Sequence, residues 1–201
     1  MNNRNEKQQG GSSQPYASRR KFLGALAAAA LGNLLAPAHA HGNIGPVRPA
    51  KKMPAASVLR QDGARMSLQS MLQGKTTALQ LMFTSCSSVC PLQGAGFAAV
   101  QERLPHLPSN RMQLLSLSID PMGDDPAALI AWLRRFGARP GWNAAVPEPG
   151  ALDVILDALQ ERTGVRDKHD AKVYVINPQG LLVWRTEDFP PTREIVNLLA
   201  A

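Results

Sequence analysis

Beyond residue 56 the chain switches repeatedly between two hydrophobic rhythms, apolar runs of strand length and stripes of helical spacing. Residues 58–60 and 64–66 read as a short hairpin around Gln61-Asp62-Gly63, because Asp-Gly favours a tight turn. Residues 67–73 predict a short helix or turn that ends at Gly74. The run TALQLMF at 77–83 reads as a buried strand. Residues 93–104 have helical spacing through Phe97, Val100 and Leu104, and 112–119 read as a second strand. An amphipathic helix is predicted over 125–136, with Leu129, Trp132, Leu133 and Phe136 on one face. A third strand follows at 141–146 and a helix at 152–163. Residues 171–177 and 181–185 form a hairpin around Pro178-Gln179-Gly180, and 191–199 close the chain as a helix. From residue 77 the order is β-α-β-α-β-α-β-β-α. That order predicts crossovers, a mainly parallel sheet and a terminal hairpin on an antiparallel edge.

The first 40 residues follow another logic. Residues 1–17 are polar. Ser18-Arg19-Arg20-Lys21-Phe22-Leu23 is a twin-arginine pattern, followed by a small-residue apolar run at 24–35 and by Ala38-His39-Ala40. These are the parts of an export signal, with cleavage expected after Ala40. The apolar run is short for a bilayer span, which takes about 20 residues; an uncleaved leader would tether the protein instead. Export predicts a periplasmic location. Residues 41–55, rich in Pro and Gly, read as a flexible linker, and 56–201 as one domain.

Charge looks different once the leader is set aside. The whole chain has 22 Lys+Arg against 15 Asp+Glu, a formal +7. Five of the basic residues and one acid lie in the leader, which leaves a net +3. No basic stripe with interleaved aromatics remains, so nucleic-acid binding is not expected. A monomer is expected.

The chain has two cysteines, Cys86 and Cys90, in the run FTSCSSVCPLQ between a predicted strand and a predicted helix. With no other cysteine to staple, the pair reads as a site. A helix N-terminus stabilises thiolate, which makes a nucleophile and a metal ligand together. Pro91 suits the first helical turn, where no N–H is needed. Sulfurs at this spacing can form a disulfide or meet around one metal ion. A plain disulfide is the simplest use in an exported protein, though so short a loop stabilises little by chain entropy. Reactive cysteines at a strand end and helix start are a feature of thioredoxin-like architecture. The expected fold is therefore α/β, a thioredoxin-like sheet with flanking helices and an extra N-terminal hairpin.

Two thiolates need a third ligand. Soft sulfur suits Cu(I), and imidazole suits either copper state. His106 lies in a Leu-Pro-His-Leu-Pro loop and reads as surface. His41 would be the new N-terminal residue and could hold copper through its amine and ring, but on a mobile segment. His169, in Arg166-Asp167-Lys168-His169-Asp170, precedes a strand whose entry loop faces the cysteine turn in a thioredoxin-like sheet. By position alone it is equally a solvated loop histidine.

Several pieces together resemble the Sco/SenC family of copper-binding, thioredoxin-like proteins. They are Phe83-Thr-Ser-Cys86-Ser-Ser-Val-Cys90-Pro91; Leu115-Ser-Leu-Ser-Ile-Asp120-Pro121 with Asp125-Pro126 after it; Arg135-Phe136-Gly137; and His169 ahead of Lys172-Val-Tyr-Val-Ile-Asn-Pro178-Gln-Gly180. The similarity spans roughly residues 56–200. It implies one copper per domain, held by Cys86, Cys90 and His169. It also implies that Asp120 and Pro121 lie behind the ligands or dock a partner. The implied function is a metallochaperone that delivers copper to the dinuclear CuA centre of cytochrome c oxidase, or reduces that centre's cysteines. The partners would be the CuA-bearing subunit and a thiol reductase that keeps Cys86 and Cys90 reduced.

Two departures stand out. The family carries Gly-Tyr shortly before the first cysteine and Pro-Asp after it; here Phe83-Thr84-Ser85 precedes Cys86, and Ser87-Ser88 follows. Residues 166–172 contain no proline, so the cis-proline of ordinary thioredoxins is missing from its usual neighbourhood. The competing reading is a general thiol-disulfide oxidoreductase using the same cysteines. A peroxidase-like site is disfavoured: Thr84 and Ser85 are present, but no activating arginine is near in sequence.

Overall fold

The computed structural model describes residues 45–104, 111–159 and 171–201. Strands β1 (Gly45–Lys52), β2 (Ser57–Arg60) and β3 (Arg65–Ser67) lead into helix α1 (Leu68–Leu72). Then come β4 (Thr76–Met82), α2 (Val89–Arg103), β5 (Met112–Ser118), α3 (Pro126–Arg135), β6 (Trp142–Pro147) and α4 (Leu152–Leu159). Strands β7 (Val173–Ile176) and β8 (Leu181–Arg185) and helix α5 (Thr192–Ala200) complete the described chain.

All eight strands join one sheet, in the order β1-β8-β7-β4-β5-β6-β2-β3. The expected β-α-β order is present, but the sheet is mixed rather than mainly parallel. Only β4–β5 and β5–β6 pair parallel; the other five pairings are antiparallel. The reason is topological: α2 and α3 carry the chain back for two parallel strands, whereas β7 enters antiparallel to β4 and β8 returns by a tight turn. The hairpin around Gly63, where φ is +79°, attaches through β2 to β6.

Residues 45–52 correct the linker reading of 41–55. They form a sheet edge, β1, paired to β8 with a register shift between Pro46 and Lys51. Proline is tolerated at an edge, where one side of the ladder needs no donor. Val47 and Met53 are buried, and the Met53 N–H donates to Gly180 O at 2.9 Å.

Alternate residues of β4 feed two apolar layers, as a strand buried on both faces requires. Leu79 and Leu81 join one layer with α1 and α4; Ala78 and Met82 join the other with α2, α3 and α5. The second layer also contains both cysteines. No helix among the described residues is long and apolar enough to cross a membrane.

Candidate metal centre

The site begins where β4 ends. After Met82 the chain turns through residues 83–88, and the Cys86 N–H donates back to Phe83 O at 3.1 Å. Helix α2 then starts at Val89, four residues earlier than its apolar stripe suggests, so Cys90 and Pro91 both lie in its first turn. Pro91 costs nothing there, because the first N–H groups of a helix have no intrahelical acceptor. Cys86 is 5 % exposed and Cys90 fully buried, and neither is in a disulfide.

The two thiols hydrogen-bond to each other, yet their environments differ. Burial pushes the Cys86 thiol up, but its donors outweigh burial. Those donors are the Cys90 thiol, the Cys90 and Ser88 backbone N–H groups, and the Ser88 hydroxyl; the Ser88 Oγ is 3.6 Å from Cys86 Sγ. The result is a Cys86 pKa below the ordinary thiol value. Cys90 goes the other way: burial, and then the hydrogen bond it shares with Cys86, push it up to about 12. Cys86 is thus the more readily ionised of the two, with the Cys90 thiol donating to it.

Asp120 and Pro121 lie just beyond β5, at the same end of the sheet as the cysteines. Asp120 serves its own turn. It accepts from Gly123 N at 3.1 Å, and its N–H donates to Ser118 Oγ at 3.0 Å. The residue that joins this turn to the cysteine loop is Asp124, which the sequence reading did not select. Buried Asp124 accepts from Thr84 N at 3.1 Å, Thr84 Oγ1 at 2.5 Å and Ser118 Oγ at 2.6 Å. The available signal was the doubled acid Asp124-Asp125 before Pro126. Asp125 caps α3, accepting from Ala128 N at 2.8 Å, which frees its neighbour for another task.

His169 lies outside the described residues, as do His41, His106 and the leader. Among the described residues no three His, Cys, Asp or Glu side chains converge as a metal cage.

The model of the SCO1/SenC family matches residues 48–201. This chain belongs to the SCO1/SenC family. A relative, the SCO1 protein homolog of Bacillus subtilis, is 26 % identical over 128 residues, which are 60 % of this chain and 65 % of that protein. The chain thus aligns with just under two thirds of that relative's length. Among solved structures, BsSco, a member of the Sco family of cytochrome c oxidase assembly proteins, is 20 % identical with a TM-score of 0.64; the match covers 79 % of this chain and 95 % of that one. ScoI of Bradyrhizobium japonicum, solved with copper bound, is 20 % identical with a TM-score of 0.59, covering 79 % and 98 %. At such identities the structures show a shared fold, the thioredoxin-like one expected for a SCO1/SenC protein.

Proposed function

We propose that this protein is an exported copper-binding assembly factor that carries one copper ion as cargo between Cys86, Cys90 and His169. The observation that carries the reading is the pair of buried, mutually hydrogen-bonded thiols, neither in a disulfide, where β4 hands over to α2 in a SCO1/SenC chain. Two soft sulfurs fit a soft ion such as Cu(I), and an imidazole fits either copper state. Strand register supports the third ligand. Val173 pairs with Gln80, so the chain enters β7 at the end of the sheet where β4 delivers Cys86. His169 is four residues before that entry.

The chemistry follows from the thiols. Copper binding displaces their protons. Two-electron oxidation joins the sulfurs as a disulfide and removes the ligands, so a thiol reductase must restore the pair in an oxidising compartment. Ligand exchange passes the ion to an acceptor, for which the CuA-bearing subunit of cytochrome c oxidase is the candidate. Asp120 and Pro121, beside the site, are candidates for docking that acceptor. The twin-arginine leader at 1–40 supports a periplasmic location.

The unequal thiols also suit a thiol-disulfide oxidoreductase, with Cys86 attacking and Cys90 resolving. Copper titration of reduced protein lacking residues 1–40 separates the two. The metallochaperone reading expects one copper per chain, a strong loss of affinity in His169→Ala with the disulfide still able to form, and loss of the site in Cys86→Ser. A Cys86→Ser protein that binds one copper with unchanged affinity would falsify it. The oxidoreductase reading expects little change in metal binding from His169→Ala and retained reductase turnover.

A further inference from the structure

One turn from Cys90 lies a buried polar side chain with no hydrogen-bond partner among the described residues. Gln93 lies on α2, fully buried, and neither its Nε2 nor its Oε1 has a hydrogen-bond partner among the described residues. Native interiors rarely leave a carboxamide in that state without a role for it. Its position narrows the role. Gln93 follows Cys90 by three residues, on the buried helix face that continues through Gly94, Phe97 and Val100. Residues three apart are neighbours on a helix. Helical side chains also lean toward the N-terminus, so a long amide at 93 reaches over the turn that holds Cys90. The same buried face of α2 gives Cys90, Phe97 and Val100 to the layer that holds Met82 and Leu129.

Cys90 is fully buried, and a metal-bound thiolate sulfur is an acceptor with no hydrogen of its own to give. A neutral N–H donor is what such a sulfur needs. Resting on the reading that these cysteines hold copper, we infer that Gln93 is a positioning residue for Cys90, its carboxamide N–H donating to the copper-bound sulfur.

The test is Gln93→Met, similar in length but without the N–H. Reduced wild-type and variant proteins are titrated with Cu(I) against a competing chelator. The sulfur-to-copper charge-transfer band is recorded for the Cu(II) forms, and unfolding is followed without metal. The expected result is about tenfold weaker copper binding, the usual scale for a lost hydrogen bond behind a metal ligand. A displaced band and metal-free stability that is equal or higher should accompany it. Gln93→Glu, which exchanges the donor for negative charge, should bind copper more weakly still. A residue that merely fills space would leave the band where it is. Wild-type affinity and band in Gln93→Met overturn the inference alone. Absence of copper binding by the wild-type protein overturns the underlying reading and the inference with it.

Discussion

Two cysteines four residues apart come to differ because one keeps its donors and the other gives its hydrogen away. The fold favours the Cys86 thiolate, so the stability it brings is present above the unfolded thiol pKa, about 8.5, and is lost as pH falls through the lower folded value. The fold favours the Cys90 thiol, so that contribution is complete below the unfolded value and is lost as pH rises toward about 12. Brief alkylation of the reduced, metal-free protein at neutral pH, mapped by mass spectrometry, should therefore label Cys86 first; preferential labelling of Cys90 contradicts this ordering. Asp124 supports the same loop from behind. Asp124→Ala leaves the Thr84 N–H and Ser118 hydroxyl without their acceptor and should cost about 2–4 kcal/mol in denaturant unfolding. Asp124→Asn should cost less, because one acceptor oxygen remains. The cysteines were legible in sequence because they are the two cysteines of the chain and share one turn between a predicted strand and a predicted helix. Asp124 and Gln93 were not, since a buried polar residue looks like a surface one until its neighbours are known.

Helix α2 packs against the rings of Phe136 and Phe189, and it does so with Gly94 and Gly96. A Cβ on Gly94 would sit 2.5 Å from the Phe136 ring, and that ring is itself packed edge-on against Trp132 with centroids 4.7 Å apart. Gly94→Ala must then push the helix or the ring, costing about 1–3 kcal/mol as overpacked cores do. Because Cys90 is one turn away, the variant should lose copper affinity as well as melting temperature. An unchanged melting temperature would show that Phe136 yields freely. At this scale the sequence was informative wherever an element carries its own rhythm. The stripe Leu129, Trp132, Leu133 announced α3, and Asp62-Gly63 announced its turn. Strand β1 carries no such rhythm. Pro46, Pro49 and three positive charges describe a linker, and only the open edge of β8 makes the segment a strand.

The whole molecule divides its stability between two apolar layers, of which one carries the site. Val47 and Met53, the buried residues of β1 and its exit, belong to the layer without cysteines. Removing β1 should therefore weaken the fold without touching the chemistry. A chain starting at residue 54 loses those side chains and uncovers the edge of β8, whose free N–H and C=O groups invite pairing with another copy. Compared with a chain starting at residue 41, it should melt at a lower temperature and associate as its concentration rises, both measurable by calorimetry and light scattering. While still folded and dilute, it should keep the labelling preference for Cys86 and the copper affinity of the longer chain. The sheet centre that holds Cys86, through β4 paired to β5 and β7, is separated from β1 by two strands, β8 and β7. If the cysteine chemistry changed along with the stability, the two layers would have to act as one cooperative unit across the sheet. The site would then depend on the far edge of the fold as much as on α2.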